Sequence, residues 1–352
     1  MKRFKSIVLA ALAVFIVTAY LPAPLASAQS SASLSIAPKK SYVVDPGDSV
    51  EDKLSIRNLD SNRELQLNLQ VIDFTYTDDS GTPKLMLDQD AEPTTWSLKP
   101  YLSVPKSVLV KPGSSTAVDI GVSLPENLGA GSYYSAIIYS TGAPDGGNVG
   151  LSASGVTLVF VTVPGKVNES LTLKKFGAYN PNVKGYQFIT ADEPRVMAYT
   201  LENKGNVTEA PVGSITLKDM FGHEYTIDDV NPNRSLALIG QTRTYTACIK
   251  LTSQEVDFKG TTTEANTCSS PGLWPGYYQA SIDLFYGQNG NLTKEIVGQA
   301  SFWYLPLWFV ILFTLLLLVI AYYVWRIVVW SRGGTFRIGV GPRTPRRSSR
   351  RR

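Results

Sequence analysis

The stretch from Leu305 to Trp325 constrains this chain more than any other. It is 21 residues long and carries no charge. As a helix rising about 1.5 Å per residue it reaches roughly 32 Å, enough to cross a hydrocarbon core of about 30 Å. Its centre, from Phe309 to Ile320, is dense in Leu, Ile, Val and Phe. Pro306 falls in the first turn, where a missing N–H costs nothing. Trp303, Tyr304 and Trp308 crowd one end, and Tyr322, Tyr323, Trp325 and Trp330 the other. Amphipathic rings gather in this way at headgroup depth. No second helix is available to bury such a stretch in a soluble core.

The C-terminal flank of the span sets its direction. Nine arginines (Arg326, Arg332, Arg337, Arg343, Arg346, Arg347, Arg350, Arg351 and Arg352) and no Asp or Glu lie between 326 and 352. Cytoplasmic flanks collect Lys and Arg, so the tail is expected inside and the chain before 305 outside. The glycines and Pro342 of this tail suit a disordered segment. Ser348 and Ser349, set among its arginines, are candidate modification points. The N-terminus agrees: Lys2, Arg3 and Lys5 precede the apolar run Ser6 to Leu21, and Ala26-Ser-Ala28 offers a cleavage site. Residues 1–28 therefore read as a secretory signal peptide, with an uncleaved anchor as the alternative.

The overall charge of +4 describes no single part of the molecule. Three positive charges sit before residue 6 and nine after 325, so the chain between them, holding all 29 acids, is at −8. The basic tail points to orientation and attraction to anionic membrane lipid, not to nucleic acid.

Residues 29–301 have the texture of β-structure, with short Val, Ile, Thr and Tyr alternations broken by Pro, Gly, Asn and Asp. Leu65 to Val71 alternates as a half-buried strand. Thr77-Asp-Asp-Ser-Gly81 reads as a hairpin turn. Ser107 to Val110 leads through Lys111-Pro-Gly113 into a second alternation from Thr116 to Ser123. No amphipathic helix is expected there. The stretch also repeats. Leu54-Ser-Ile-Arg-Asn58 matches Tyr199-Thr-Leu-Glu-Asn203, and Gly131-Ser-Tyr-Tyr134 matches Gly276-Tyr-Tyr278, at nearly one offset. The expected fold is mostly β: two tandem immunoglobulin-like β-sandwiches over 29–164 and 165–301, a transmembrane helix over 302–326, and a disordered basic tail over 327–352. The Gly–Tyr elements resemble the tyrosine near the start of strand F in such sandwiches, which makes them core and corner residues.

Cys248 and Cys268 both fall in the second module. An exported pair is expected to form a disulfide, closing a loop of about 20 residues. The stretch between them, including Lys259 to Asn266, reads as a mobile polar loop tied at its base. Catalytic constellations are absent from the sequence. The one histidine, His223, lies in Asp219-Met-Phe-Gly-His-Glu224 and reads as a turn residue. There is no phosphate loop, no nucleophile elbow and no zinc motif, so no catalytic, metal or cofactor residue is assigned. Asp88, Asp90 and Glu92 lack the spacing of a calcium loop and read as a solvated stretch. Asn168, Asn206 and Asn291 head glycosylation-type triplets.

Several of these elements together resemble one family. Ser35-Ile-Ala-Pro38, Asp45-Pro-Gly47, the strand ending in Asn58, Val110-Lys-Pro-Gly113 and Leu124-Pro-Glu126 leading to Gly131-Ser-Tyr-Tyr134 are similar to the first domain of WxL-interacting proteins of bacterial surfaces. The layout of signal, two sandwiches, span and basic end is similar too. The resemblance implies a first domain that binds peptidoglycan and a second that holds a partner surface protein. It implies nothing about Cys248 and Cys268, and no binding residue transfers. The expected function is therefore a membrane-anchored surface scaffold for wall polymer and a surface protein. One alternative is an accessory subunit of an envelope complex, although the span has no Gly-x-x-x-Gly motif. Another is an envelope enzyme using His223 with Asp219 and Glu224, which strand alternation would send to opposite faces.

Overall fold

The computed structural model describes residues 34–78, 80–88, 94–141, 153–258, 261–287 and 292–333. The signal-peptide reading of residues 1–28 lies outside them. Eleven strands belong to the first half: β1 (Leu34–Ile36), β2 (Lys39–Val43), β3 (Ser49–Asn58), β4 (Leu65–Ile72), β5 (Phe74–Tyr76), β6 (Pro83–Leu85), β7 (Leu102–Ser103), β8 (Ser107–Val110), β9 (Ser115–Ser123), β10 (Gly131–Ser140) and β11 (Ala153–Val163). Eleven more come after them: β12 (Leu171–Asn180), β13 (Gly185–Tyr186), β14 (Ile189–Thr190), β15 (Val196–Asn203), β16 (Val212–Asp219), β17 (Glu224–Ile227), β18 (Thr242–Cys248), β19 (Leu251–Phe258), β20 (Thr261–Cys268), β21 (Gly276–Tyr286) and β22 (Lys294–Tyr304). One helix, α1 (Leu307–Gly333), closes the described chain.

The strands form two tandem immunoglobulin-like sandwiches. In the first, the sheet β1-β3-β9-β7 faces the sheet β2-β11-β10-β4-β8. In the second, β13-β12-β15-β18 faces β14-β22-β21-β16-β17. Alternation explains the packing. Along β3, Leu54, Ile56 and Asn58 turn inward while their neighbours face solvent. The same holds for β9, where Val118, Ile120 and Val122 are buried.

The internal repeat has a three-dimensional counterpart. In each sandwich a short strand runs parallel to the last long strand, β2 beside β11 and β14 beside β22. Asn58 and Asn203 end equivalent strands and are both fully buried. The Asn58 amide donates to the carbonyls of Arg63 and Val110, and its oxygen accepts from the Asp60 N–H. The Asn203 amide donates to Val207 and Ala237, and its oxygen accepts from the Gly205 N–H. Each side chain satisfies backbone groups that the strand end would leave unpaired. The tyrosines repeat as well: Tyr133 donates to the Gly129 carbonyl at 3.0 Å and Tyr278 to the Trp274 carbonyl at 2.8 Å, both four residues back.

Two expectations need correction. The stretch between the cysteines is a hairpin, not a loop: β19 and β20 pair from Leu251 opposite Cys268 to Phe258 opposite Thr261. Its threonines are polar, which suggests a loop, yet their β-branching suits strands. Cys248 and Cys268 are bonded at its base, with Cα atoms 5.1 Å apart. Reduction of this bridge releases a closed loop of about 20 residues and is expected to cost about 3 kcal/mol in the chain-entropy model. Denaturant unfolding with and without reductant measures it. The second correction concerns the span. β22 continues through Tyr304, and α1 begins only at Leu307 and reaches Gly333. Trp303 and Tyr304, which the sequence assigns to the span's aromatic end, are therefore strand residues. Arg326 and Arg332 lie within α1 rather than in a tail. Of the described residues, 307–331 make the one helix long and apolar enough to cross a membrane.

Candidate functional site at the junction of the two sandwiches

β10 is buried along almost its whole length, unlike the half-buried strands around it. Ile137 and Tyr139 face the first sandwich's own core. Tyr134, Ala136 and Ile138 face a separate cluster with Ile72, Phe74 and Phe160, which takes in Leu238 of the second sandwich and packs against Leu236 and Ile239. The Phe74 ring lies 5.2 Å from Tyr134 and 5.9 Å from Phe160, and Trp96 stacks on Tyr134 at 6.2 Å. Asp73 is buried beside them and accepts hydrogen bonds from the hydroxyls of Ser97 at 2.7 Å and Ser135 at 2.9 Å. This cluster welds the two sandwiches.

Polar contacts fix the joint around it. The β5–β6 hairpin of the first sandwich reaches the second, where the Tyr76 hydroxyl donates to the Leu236 carbonyl at 2.7 Å. The Arg243 guanidinium lies over the rings of Tyr76 and Tyr245, 5.0 and 5.1 Å from their centres. Its Nη1 donates to the Tyr76 hydroxyl and the Leu236 carbonyl. Among the described residues no carboxylate pairs with Arg243, so ring faces and a carbonyl meet its charge. Lys39 sits over Phe160 at 5.2 Å, and burial followed by the Arg243 charge lowers its pKa. Asn206 clamps the far side. Its carbonyl accepts from the Ser132 N–H at 3.0 Å and its amide donates to the Ala130 carbonyl at 3.0 Å. Gly131 makes this approach possible: its φ is +155°, and a Cβ there would lie 2.8 Å from the Asn206 carbonyl oxygen.

Beneath the joint lies a carboxyl group. Glu209 is 2% exposed, and its Oε1 has no hydrogen-bond partner. Its backbone pairs with that of Ala237, in the loop that carries Leu236 and Leu238 into the junction. Burial raises Glu209 from 4.5 to about 7, helped by Glu169 and opposed by the Gly287 N–H and Lys294. The protonated form is thus favoured on folding, and its stability contribution is full below pH 4.5 and lost as pH rises through 7. At about 1.4 kcal/mol per pH unit the loss is about 3 kcal/mol at most. Glu209→Gln, neutral at every pH, is expected to flatten the unfolding free energy between pH 4.5 and 7. An unchanged slope would place the titration elsewhere.

Of the residues singled out in the sequence, Gly131, Tyr134 and Asn206 belong to this junction, and the candidate catalytic group falls away from it. His223 is an exposed turn residue whose Nδ1 lies 2.8 Å from Asp219 Oδ2. The Asp219 carboxylate also accepts from the N–H groups of Phe221 and His223, which closes the turn. Glu224 pairs instead with Lys218 at 2.9 Å. The three do not converge on a pocket. The Asn206 amide is engaged at the junction, and Asn291 lies outside the described residues. So do Asp90, Glu92, Arg337, Arg343, Arg346 and Arg347. Among the described residues, no group of three or more His, Cys, Asp and Glu is placed to hold a metal. A second surface feature is a shallow polar groove on the outer face of the second sandwich, lined by Thr216, Lys218, Gln279, Ser281, Gln299 and Ser301.

No family model and no curated protein matches this chain. Solved structures resemble it at low identity. A chain of the chaperone–tip adhesin complex of CFA/I fimbriae is 11% identical, with 76% of this chain and 98% of that one covered, at a TM-score of 0.36. The class 5 fimbriae chaperone CfaA is 12% identical, with coverage of 78% and 100%, at 0.34. The E. coli chaperone DraB is 14% identical, with coverage of 76% and 96%, at 0.33. These likenesses carry no function across.

Proposed function

We propose that this protein is a membrane-anchored surface scaffold that displays two welded β-sandwiches to cell-wall polymer, as in peptidoglycan, and to a partner surface protein. One observation carries the reading. β22 runs into α1 through only Leu305 and Pro306, so the body is fixed directly to the anchor with no spacer. A joint stiffened at Phe74, Arg243 and Asn206 then projects the first sandwich away from the bilayer. The arginines from Arg326 onward, without an acid among them, favour a cytoplasmic tail and an external body. The resemblance of the first module to WxL-interacting proteins supports peptidoglycan as its polymer. The groove of Gln, Ser and Thr on the second module offers side chains able to hydrogen-bond hydroxyls and amides.

The test uses the full chain purified in detergent and mixed with cell-wall sacculi and with an envelope extract. Retention on sacculi, or recovery of a specific envelope protein, is expected. Retention of neither would remove the scaffold reading.

A further inference from the structure

The second sandwich has an apolar end on the side where the helix leaves. Gly276 pairs with Tyr304, Ile189 with Trp303, and Asp219 with Tyr278, so three segments finish beside the last residue of β22. They expose Phe188, Ile189, Met220, Phe221 and Trp274, and Trp303 adjoins them. Phe221 and Trp274 are each 66% exposed. Among the Phe and Trp residues outside α1 whose side chains are described, the exposed ones are Phe188, Phe221, Trp274 and Trp303, and all four are at this end.

Their backbones are held. The Trp274 carbonyl accepts from the Tyr278 hydroxyl at 2.8 Å, and the Leu273 N–H donates to Glu193 at 2.6 Å. The Met220 N–H donates to the Tyr277 carbonyl, and the Phe221 N–H to Asp219. The Trp303 N–H donates to the Phe188 carbonyl. A backbone held in this way has little left to lose in order on meeting a partner.

The repeat indicates what this end does. Gly131 and Gly276 are equivalent, and the Gly131 end of the first sandwich is the end that buries Phe74 and Tyr134 against the second. Among the described residues, the Gly276 end of the second sandwich is followed by α1 and not by another sandwich. Two residues, spanning at most about 7 Å, separate it from α1. We propose that this end is a second membrane contact: Phe188, Phe221 and Trp274 sit in the headgroup layer of the bilayer that α1 crosses, so the body rests on the lipid and does not swivel above it. Rings at headgroup depth, with polar groups around them, suit this layer. The proposal rests on reading α1 as a membrane span.

The full chain, reconstituted in vesicles, tests it with a polarity-sensitive fluorophore on single added cysteines, the native pair being bonded. The positions are Phe221→Cys and Trp274→Cys, with Leu109→Cys on the first sandwich and Leu316→Cys within α1 as references. Lipids brominated near the top of the acyl chain act as quenchers for 109, 221 and 274, and lipids brominated near its end for 316, which lies close to the middle of the span. Quenching at 221 and 274 is expected to exceed that at 109 by about two-fold or more. Quenching at 316 without quenching at 221 and 274 would leave the anchor intact and overturn the resting contact. A label at 221 or 274 that is shielded from water but not quenched would place a protein partner there, with the same result. No quenching at 316 would defeat the span and the contact together.

Discussion

Phe74→Ala is expected to cost about 4 kcal/mol and to loosen the two sandwiches from each other. The side chain is 1% exposed, and its ring meets Tyr134 and Phe160 edge-on or tilted. The cluster that holds it also contains Leu238 of the second sandwich. Truncation removes the ring's contacts and leaves a void that neighbouring strands cannot fill, since they are fixed by their ladders. Leu67→Ala is the control. Leu67 is fully buried too, but belongs to the first sandwich's own core. Both changes lower the stability of the full chain in detergent, read by denaturant unfolding. Phe74→Ala alone should open residues 164–170, between β11 and β12, to limited proteolysis. Equal protection in the two variants would show that the aromatic cluster does not couple the sandwiches.

Asn203→Ala is the second large effect, expected at about 3–4 kcal/mol. The substitution strips the Asn203 partner from the Val207 carbonyl and the Gly205 N–H, beside a fully buried side chain, and removes one of two donors from the Ala237 carbonyl, which keeps the Glu209 N–H. Each buried polar group left unmet costs about 1–3 kcal/mol. Asn58→Ala breaks the matching set, but there the bond to the Val110 carbonyl is longer, at 3.3 Å against 2.9 Å to Ala237. The loop at Ala237 also carries Leu236 and Leu238 to the junction, whereas Val110 serves the first sandwich alone. The cost at Asn203 should therefore exceed that at Asn58. Chemical denaturation of the two variants side by side decides it, and the reverse order would contradict the role given to the loop.

The sandwiches were legible from local signals. Alternation marked β4 and β9, and the paired Asn and Gly–Tyr positions marked a repeat because each has one job in its own module. The junction was not legible. Tyr76 and Leu236 are 160 residues apart, and Arg243 lies in a strand whose pattern reads like any other. Phe74, Tyr134 and Phe160 look from sequence like ordinary core residues, since burial between modules and burial within one leave the same apolar mark. The near-continuous apolar character of Ala136 to Tyr139 was the available signal, because a strand covered on both faces loses its alternation. The β19–β20 hairpin is hidden by the polarity of its sequence, which reads as loop although its threonines suit strands. The helix start reads too early because Trp303 and Tyr304 suit both a strand end and a membrane interface.

The most direct test is protease added outside intact cells that carry the full chain with an epitope after Arg352. Digestion within residues 34–304, with the epitope surviving on a membrane-bound fragment that includes α1, is the predicted result. Loss of the epitope with 34–304 left whole, or release of the body by an alkaline wash with α1 attached, would contradict a body displayed outside on a single spanning helix.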